Sequence, residues 1–528
     1  MVDYDRVQDF LEAHGMEPER VDPKREAALM LEDMRRGLAG EKSDMPMIPT
    51  YLSNDAQLPL GRSVAVIDAG GTNFRSALVR FEEDGCHVSE LSKCRMPGVG
   101  EPCTWEEFIS FVADRIEPLM GRAESIGFCF SYSADITPDM DGRVIRIDKE
   151  VVVTGSEGKL IGASLRAELE RRGITGKRVV ILNDTVAVLL GGAAGLDKRA
   201  YSGFIGQVSG TGTNTCVSLP ERLIGKLGSS EERGMIINME AGLYTGIPRG
   251  SFDLMLDSAS NNPGLKAFEK LTAGVYLGQL CRLMLIAAAD EGLISRAAGD
   301  GARQLEDIDS SVIDAWSCME RGELLGGAET DLAFASRLSR ALFKRSARGM
   351  CTDLLALAML TGAGKSADKP LCVLAEGSLV QKSRIYRPEL ERLLEEYGRE
   401  AGVHFVLKVG QETTLPGAAA AARQARDLDP EDGVPYFILA QCYASSAGSC
   451  GGFAGLATYW AAYDTMAKAV ELLPADSEYM EHAKSSLGKF RSVFPSSEEC
   501  FFNELQEGAR YTVTCGTAAG ITTTVRAR

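Results

Sequence analysis

Apolar and polar residues alternate along the chain with two different periods, which divide most of it into predicted helices and strands. Residues 5–40 place apolar side chains three and four positions apart, the spacing of an amphipathic helix. Over 62–91 the pattern changes to runs of β-branched and apolar residues, which predict strands. The segment 178–195, RVVILNDTVAVLLGGAAG, predicts a buried strand that enters a helix through Asn183 and Asp184.

A strand, a glycine turn and a second strand occur twice in this pattern. The first unit is VAVIDAGGTNFRSALVRF at 64–81, and the second is SGFIGQVSGTGTNTCVSL at 202–219. A charged helix, SLRAELERRG at 164–173, lies between them in sequence. The repetition predicts a duplicated α/β fold with a cleft between its halves. The second half is mostly helical, interrupted by a buried strand and glycine turn, LCVLAEGSLV at 371–380.

The composition changes beyond about Asp427, where Ala and aromatic residues recur at helical spacing around a small-residue turn. This pattern is typical of a paired-helix repeat, and ARDLDP and AVELLP resemble the end of a tetratricopeptide unit. We therefore predict four segments. They are a helical lead-in at 1–60, a small α/β domain at 61–195, a large α/β domain at 196–425 and an α-helical, repeat-like tail at 426–528.

The overall charge excludes several classes of partner. The chain has 57 Lys and Arg against 74 Asp and Glu, a formal net charge of -17, which repels nucleic acid and anionic membrane surfaces. No run of about 18 apolar residues occurs, and the N-terminus is acidic rather than basic and then apolar. We therefore expect no nucleic-acid partner and no membrane partner, and a cytoplasmic location.

The cysteines point to no metal or redox framework. The 13 Cys are scattered without a C-x-x-C pair, and only 4 His are present. Structural zinc sites and disulfide frameworks depend on characteristic spacings of these residues. The sequence therefore predicts neither, and a reduced compartment is the simple expectation.

The glycine turns are the strongest candidates for chemistry. Backbone N–H groups at such turns form anion-binding concavities, and glycine lets a phosphate approach the backbone closely. The turns at Asp68 to Gly71, at Gly210 to Gly212 and at Gly377 are therefore candidates for a polyphosphate clamp. The motif G-x-x-x-x-G-K-[ST] is absent, and no G-x-G-x-x-G opens a helix after the first strand. One such turn taken alone fits a plain hairpin equally well.

In their order along the chain, these segments resemble the eukaryotic hexokinases, within the actin-like sugar kinase superfamily. The resemblance covers roughly residues 5–425. It rests on the lead-in MPMIPTYLS, the first phosphate loop DAGGTNFR, the catalytic segment LNDTVAVLL, the second phosphate loop GTGTN, the sugar-binding stretches INMEAG and NNPGLKAFEKLTAGVYLGQLCRLML, and the adenosine loop LAEGSL. It implies duplicated ribonuclease H-like (actin-like ATPase) domains around a cleft, with the last helix of the large domain returning to the small one.

The resemblance also implies an ATP-dependent kinase that phosphorylates the 6-hydroxyl of a hexose, with ATP and Mg²⁺ as cofactors. Asp184 is then the general base, and Lys149 reaches both the sugar and the transferred phosphoryl group. The residues expected to bind the sugar are Ser131, Asn183, Asn214, Glu240, Asn262 and Glu269. Those expected to bind ATP are Asp68, Gly70, Gly71, Thr72, Asn73, Thr211, Gly212, Gly377, Ser378 and Thr414.

Mg²⁺ is expected to be held by ATP and water rather than by protein ligands, with Asp68 contacting that water. Arg75 is expected to be a structural ion-pair partner. From the residues alone, other interpretations stay open: Asp184 fits a helix N-cap, and Lys149 and Glu269 fit solvated positions.

Some segments depart from the family's pattern. Ser131, Tyr132 and Ser133 stand where the family usually has Ser-Phe-Pro, and 147–150 reads IDKE where Trp-Thr-Lys-Gly is usual. Asp148 thus adds a carboxylate beside the expected sugar site, and the nucleotide loop GQETTLPGAAAA also differs. The preferred hexose is therefore open between glucose, another hexose and an amino sugar.

A different class of function is also open. The chain could be a non-catalytic sugar-sensing or scaffold protein, with the tail binding a protein partner. Asp184 argues against this alternative, because binding alone does not require a general base.

Overall fold

The computed structural model of the chain forms two compact units, Met1–Gln424 and Ala425–Arg528. The residues that the structure describes are 4–53, 63–71, 73–82, 85–147, 151–193, 196–306, 308–326, 328–410, 413–427, 436–437, 440–441, 443–444, 447, 450, 452–473, 478–503, 505–515, 518 and 521–528.

Helices and strands alternate through the first unit and the second is mainly helical. The helices are α1 Tyr4–Ala13, α2 Pro23–Ala39, α3 Trp105–Ile116, α4 Ile161–Arg171, α5 Asp184–Ala193, α6 Ser251–Ala259, α7 Ala267–Thr272, α8 Gly274–Asp290, α9 Arg296–Gln304, α10 Ser310–Ser317, α11 Glu329–Thr361, α12 Ser378–Lys382, α13 Tyr386–Ala401, α14 Thr414–Asp427, α15 Gly452–Leu472, α16 Glu478–Ser492 and α17 Ser497–Phe502. The strands are β1 Ile48–Pro49, β2 Ser63–Gly70, β3 Asn73–Glu82, β4 Gly85–Arg95, β5 Cys103–Thr104, β6 Ser125–Phe130, β7 Ser133–Ile136, β8 Gly142–Arg146, β9 Val153–Thr154, β10 Arg178–Leu182, β11 Gly203–Ser209, β12 Thr213–Pro220, β13 Gly234–Asn238, β14 Leu371–Glu376, β15 Phe405–Val409, β16 Arg510–Thr512 and β17 Thr522–Thr524.

Two sheets in the first unit share one topology. The five-stranded sheet has the order β4-β3-β2-β6-β10, in which β2 pairs antiparallel with β3 and parallel with β6. The six-stranded sheet has the order β1-β13-β12-β11-β14-β15, in which β11 pairs antiparallel with β12 and parallel with β14. Apart from the short edge strand β1, each sheet therefore consists of three antiparallel strands followed by two parallel ones. The predicted duplication is confirmed.

The central strands are buried, and helices pack against both sheets. Strand β2 reads SVAVIDAG, and its residues Val64 to Ala69 are all buried. In the six-stranded sheet, α5 packs against β11. Helix α11, 33 residues long, contributes most of its length to the core beside that sheet. Fully covered strands require continuous apolar runs rather than alternation, which is the pattern that the sequence carries.

The helical lead-in joins the core of the six-stranded sheet. Asp22 caps α2 by accepting hydrogen bonds from the backbone N–H groups of Lys24 and Arg25, and Gly40 ends the helix in a left-handed conformation. The buried apolar side of α2, which includes Met30 and Met34, packs in the same cluster as α11.

Helix α14 lies directly against the five-stranded sheet and α5. A Cβ added to Gly127 of β6 would lie 2.1 Å from the carbonyl oxygen of Ala418, and one added to Gly417 would lie 1.8 Å from that of Ala187. The backbones approach this closely only because glycines occupy the contact points. The helix that follows the six-stranded sheet in sequence therefore contacts β6 of the five-stranded sheet as well as α5.

The second unit contains paired helices, as the composition predicted, but also features that it did not predict. Helices α15 and α16 pack together, and β16 pairs antiparallel with β17. Cys450 and Cys515 form a disulfide, so the expectation of no disulfide framework does not hold for this pair. The two cysteines are 65 positions apart, a spacing that carries no local signal in the sequence.

Two further observations bear on partners. Among the described residues, no helix combines the length and the apolarity that a membrane span needs. In the same part of the chain, no group of three or more His, Cys, Asp or Glu side chains is placed to hold a metal ion.

Candidate active site

The first glycine turn joins β2 to β3 at the edge where β2 ends. Gly70 pairs with Asn73 in register, and Gly71 has a left-handed backbone with φ +55°. A Cβ on Gly71 would meet no heavy atom within 4 Å, so this face of the turn is open to a ligand. Thr72, predicted to belong to this loop, lies outside the described residues, and Asn73 is exposed at the start of β3.

Asp68 and Arg75 form a partly buried ion pair beneath this turn. They are directly opposite each other on β2 and β3, and Arg75 donates to Asp68 Oδ2 from Nε at 2.8 Å and from Nη2 at 2.5 Å. Burial nevertheless raises the pKa of the Asp68 carboxyl, and the nearby carboxylate of Asp184 adds to this effect. Arg75 is therefore in the ion-pair position that the sequence predicted, and Asp68 lies close to the candidate base.

Asp184 begins α5 at the end of β10. Asn183 Oδ1 accepts hydrogen bonds from the backbone N–H of Thr185 at 3.0 Å and from its hydroxyl at 2.6 Å. Asn183 therefore provides the capping interaction that was the alternative explanation for Asp184. The Asp184 carboxylate accepts from the backbone N–H of Thr185 at 2.8 Å and remains partly exposed.

A chain of amides and carboxylates extends from Asn183 across the six-stranded sheet. Asn214 Nδ2 lies 3.2 Å from Asn183 Oδ1 and 2.8 Å from Asn238 Oδ1. Asn238 in turn donates to Glu240 Oε1 at 2.9 Å. Asn238 is not among the predicted site residues. The sequence feature that could have indicated Asn238 is its place in the stretch INMEAG, two residues before Glu240.

Glu240 and Glu269 face the same region. Glu240 is held in a left-handed conformation with φ 57°. Burial raises its pKa, and the nearby carboxylates of Asp184 and Glu269 add to the rise while Asn238 opposes it. The Glu269 carboxylate lies beside Gly242 and Gly212, 3.0 Å and 3.9 Å from where their Cβ atoms would be. Acidic and amide groups that can accept or donate to several hydroxyls therefore gather here.

The second and third glycine turns touch each other. Gly210 N–H donates to Gly212 O at 3.0 Å, which closes the turn that contains Thr211. A Cβ on Gly210 would lie 3.2 Å from the backbone nitrogen of Ser378. Gly377 has φ +119°, and a Cβ there would lie 2.4 Å from Ser209 O, so only glycine fits this contact.

The loop before α14 reaches the third turn through a residue that was not predicted. Glu376 Oε2 accepts from the backbone N–H of Thr413 at 3.0 Å, and Gln381 donates to Gly410 O at 2.7 Å. The predicted residue, Thr414, is buried at the first position of α14. The structure thus ties Thr413, rather than Thr414, to the strand that carries the third turn.

Other predicted sugar-binding residues lie at the margins of this cluster. Ser131 Oγ lies 3.2 Å from where a Cβ of Gly70 would be, beside the first turn. Asn262 is bonded to its own loop, through Ser260, and its carbonyl accepts from Lys270 at 2.9 Å. Lys149, with the neighbouring Asp148 and Glu150, lies outside the described residues.

Tyr132 connects the two halves of the site. Its hydroxyl donates to the carbonyl of Gly71 at 2.9 Å. Its side chain also lines a small pocket, together with Asn183, Asn238 and apolar side chains. The residue that departs from the family's Phe therefore contacts both the first glycine turn and the surroundings of the amide chain.

Comparison with known proteins identifies the family. Two family models, each described as hexokinase, match residues 6–194 and 204–424. The chain belongs to the hexokinase family. The matched segments hold all three glycine turns, Asp184 and the amide chain, and they end at the boundary of the first compact unit.

Individual hexokinases resemble this chain to different extents. Hexokinase-3 of Mus musculus is 31% identical over 293 residues, which are 53% of this chain and 31% of that protein. Hexokinase-1 of Schizosaccharomyces pombe is 30% identical over 54% of this chain and 61% of its own length. Glucokinase-1 of Saccharomyces cerevisiae is 28% identical over 77% of this chain and 94% of its own length. The chain therefore spans less than two thirds of the first two relatives.

A solved structure shares the fold. The hexokinase from Schistosoma mansoni, complexed with glucose, superposes with a TM-score of 0.68 at 20% identity. The match covers 79% of this chain and 99% of that one. The α/β fold with two duplicated domains is thereby confirmed as a hexokinase fold.

Proposed function

We propose that this chain is an ATP-dependent hexose kinase that transfers the γ-phosphoryl group to the 6-hydroxyl of glucose or a related hexose, with Asp184 as general base. The observation that carries the proposal is the position of Asp184. Asp184 directly follows Asn183, which lies within hydrogen-bonding distance of Asn214 in the amide chain, and its carboxylate contributes to the raised pKa values of Asp68, below the first glycine turn, and of Glu240. A base at this point would stand between a phosphate site and a polyhydroxyl site.

The sugar would be recognised by the amides and carboxylates that converge beside Asp184. The proposed contacts are Ser131, Asn183, Asn214, Glu240, Asn262 and Glu269, and we add Asn238 because it links Asn214 to Glu240. Each hydroxyl of a hexose needs a directional partner, since a buried polar group left unpaired costs about 1–3 kcal/mol. Because Asn183 is already fixed by Thr185, its orientation is set before the sugar binds.

The phosphates of ATP would lie between the glycine turns. The proposed contacts to ATP are Asp68, Gly70, Gly71, Thr72, Asn73, Thr211, Gly212, Gly377, Ser378 and Thr414, of which Gly377 and Ser378 would face the adenosine. The open face of Gly71 and the mutual contact of the second and third turns fit this role. Mg²⁺ carried by ATP neutralises phosphate charge as it develops. The oxygen donors near the first turn suit that ion, with Asp68 held in place by Arg75 to accept from its water.

The chemical step needs an aligned hydroxyl and an acceptor for its proton. Asp184 would accept the 6-hydroxyl proton as the oxygen attacks the γ-phosphorus, while the bond to the leaving ADP oxygen breaks. Lys149 is proposed to contact both the sugar and the transferred group. Closure of the two halves would exclude water, which otherwise competes as the phosphoryl acceptor.

The same proposal assigns the segments of the chain. Residues 1–60 are the lead-in, 61–195 the small domain and 196–425 the large domain, and the contact of α14 with β6 supports a last helix that returns to the small domain. The tail at 426–528 is proposed to bind a protein partner through a tetratricopeptide-like helix pair, for which the packed helices α15 and α16 are the support.

The test is coupled ADP release from MgATP across glucose, other hexoses and amino sugars. Asp184→Asn should lower kcat by about 10²- to 10⁴-fold, because the amide cannot accept the proton. Asp368→Asn, which removes an exposed carboxylate in a loop, is the matched control and should leave kcat unchanged. Full activity of Asp184→Asn would contradict the proposed base, and sugar binding without turnover in the unaltered protein would favour the sensor alternative.

A further inference from the structure

A polar cluster lies buried behind the second glycine turn, on one face of the six-stranded sheet. Gln207 is directly opposite Thr215 on β11 and β12, and Ser209 is directly opposite Thr213. Directly opposite residues point to the same face of a sheet, so these four side chains share one face. All four are buried. Polar side chains in such a place require partners, because leaving them unpaired is costly.

Helices α11 and α13 supply the side chains that cover this face. Thr215 Oγ1 donates to Asp353 Oδ2 of α11 at 2.7 Å. Gln207 Nε2 donates to Ser209 Oγ at 2.8 Å, and Ser209 Oγ lies 3.3 Å from the hydroxyl of Tyr386 in α13. Asp353 and Tyr386 are both 0% exposed. The cluster is thus sealed from solvent.

Unpartnered oxygen atoms remain inside this sealed cluster. Gln207 Oε1, Thr213 Oγ1 and Asp353 Oδ1 have no hydrogen-bond partner among the described residues. The Gln207 atom can only accept, and so can the Asp353 atom if the carboxyl is ionised. Gln207 lies directly opposite Thr215, the residue that bonds Asp353, and the single Thr213 hydroxyl can donate to only one of the two acceptors, so an ionised Asp353 would leave a buried acceptor without a donor. A proton on Asp353 Oδ1 would turn one of them into a donor.

Burial and the surrounding side chains also favour a neutral Asp353 carboxyl. Burial raises the pKa of Asp353 to about 7, opposed only by the hydrogen bond from Thr215. Tyr386 is the titratable group that faces Asp353 from α13. Burial raises the pKa of the Tyr386 hydroxyl above its ordinary value. On α11 itself, Arg345 is paired with Asp253 and Arg348 donates to backbone and to Tyr397. Cys351 is buried with a raised pKa.

We propose that Asp353 is held as a neutral carboxylic acid that donates a hydrogen bond to the Gln207 carbonyl, and that it thereby positions the strand bearing Asn214. The link to the site is short. Thr215, which Asp353 fixes, follows Asn214 directly, and its backbone N–H donates to Asn214 Oδ1 at 2.8 Å. Asp353 is a positioning residue, because it does not itself reach the cleft. Its effect on the sugar rests on the function proposed above, whereas its protonation does not.

The test compares Asp353→Asn with Asp331→Asn in the full chain. The amide of Asp353→Asn can accept from Thr215 and donate to Gln207, so it mimics the neutral acid. Asp331, buried on the same helix, accepts from the Ser295 N–H and hydroxyl on separate oxygens, and an amide there loses an acceptor. Urea unfolding from pH 4 to 8.5 is measured for both variants and for the unaltered protein.

The sign of the expected pH dependence follows from the raised pKa. Below the pKa of an unfolded Asp, near 4, both states carry the proton, and Asp353 and Asp353→Asn should be equally stable. As pH rises towards 7 the unfolded chain releases the proton first, so the unaltered protein should lose stability relative to Asp353→Asn. The difference should level off above about 7. Asp331→Asn should instead be less stable than the unaltered protein at neutral pH.

A second readout reports protonation directly and needs no turnover. The infrared carbonyl band of protonated carboxylic acids at pH 6 should lose the contribution of one carboxyl in Asp353→Asn, whereas Asp68 and Glu240, whose pKa values are also raised, contribute equally in both proteins. Kinetics then test the positioning role. Asp353→Asn should keep the KM for hexose within about twofold, while Asp353→Leu, which removes the carboxyl acceptor of the Thr215 hydroxyl and the proposed donor to Gln207 Oε1, should raise it by roughly fivefold or more.

Specific outcomes would overturn the proposal. If Asp353→Asn is less stable than the unaltered protein throughout the pH range, the carboxyl is an ionised acceptor and not a donor. If added potassium stabilises the unaltered protein but not Asp353→Asn, a bound cation completes the cluster instead. If the protein phosphorylates no hexose, the stability and infrared measurements still test the protonation of Asp353. The proposed kinase activity and the proposed neutral acid can therefore fail separately.

Discussion

At the residue scale, the candidate site depends on neighbours that fix the chemically active groups. Asn183 accepts both hydrogen bonds that Thr185 offers, so the capping interaction does not depend on Asp184 alone. Arg75 similarly fixes Asp68 from the opposite strand. Such fixed groups reach a transition state with little reorganisation. The placement of Asp68 and the start of α5 at Asp184 therefore depend on neighbouring side chains as well as on the two aspartates themselves.

Tyr132 gives a residue-scale prediction for the phosphate site. Its hydroxyl donates to the Gly71 carbonyl at 2.9 Å and so orients the first glycine turn. In Tyr132→Phe the ring stays and this bond is lost, at a cost of about 1 kcal/mol. We expect the KM for MgATP to rise roughly fivefold while the KM for hexose stays unchanged.

The matched control is Tyr397→Phe, which removes a hydrogen bond from Arg348 elsewhere in the same unit. It should lower stability slightly and leave both KM values unchanged. Equal effects of the two substitutions on the KM for MgATP would contradict a specific role for Tyr132.

At the element scale, α14 links the two halves of the first unit. It follows β15 of the six-stranded sheet in sequence, yet its backbone touches β6 and α5. Gly191 of α5 faces the carbonyl of Thr413, 2.1 Å from where a Cβ would be. Helix α5 carries Asp184 at its first turn, so the packing of α14 bears on the position of the candidate base.

Gly127→Ala tests this contact. The added Cβ would meet the backbone of Ala418, which cannot rotate away as a side chain would, so α14 or β6 must shift. We expect a loss of about 1–3 kcal/mol in the free energy of unfolding, measured in urea, and a lower kcat. Gly121→Ala is the control, since a Cβ there meets nothing within 4 Å, and it should change stability by less than about 0.5 kcal/mol. Equal stability of the two variants would contradict the tight contact.

At the scale of the whole molecule, the chain divides into two units with separate cores. The hexokinase family models end at residue 424, where the first unit ends. The second unit has its own apolar clusters, which include Trp460 and Phe494, and its own disulfide between Cys450 and Cys515. Its stability is therefore expected to respond to reduction independently of the first unit.

Reduction of the full chain tests this independence. Because the disulfide constrains the unfolded second unit, dithiothreitol should lower that unit's stability by about 2–4 kcal/mol without changing hexose phosphorylation. Two-step urea unfolding, with kcat measured in parallel, checks both expectations. Cys450→Ser should be insensitive to the reductant. A fall in kcat on reduction that Cys450→Ser does not show would mean that the disulfide of the second unit affects catalysis, and this would contradict the independence of the two units.

The local elements and the glycine turns could be predicted from the amino-acid sequence. Apolar runs such as β2 and the periodic stretch of α2 specify burial through the residues within one segment, and Gly71 meets a backbone requirement that glycine satisfies best. The order of the motifs was sufficient to indicate the family and the duplicated sheets. These properties depend on residues that are close together in the chain.

Contacts between residues far apart in the chain could not be predicted from the sequence and emerge from the packing of the elements. Thr215 bonds Asp353 across 138 positions, Cys450 joins Cys515 across 65, and the Tyr132 hydroxyl reaches Gly71 across 61. A hydrophobic pattern states that a position is buried but not which residue lies opposite it, because many partners satisfy the same burial. The sequence therefore did not indicate that Asp353 bonds Thr215, because this contact forms only when α11 packs against the sheet.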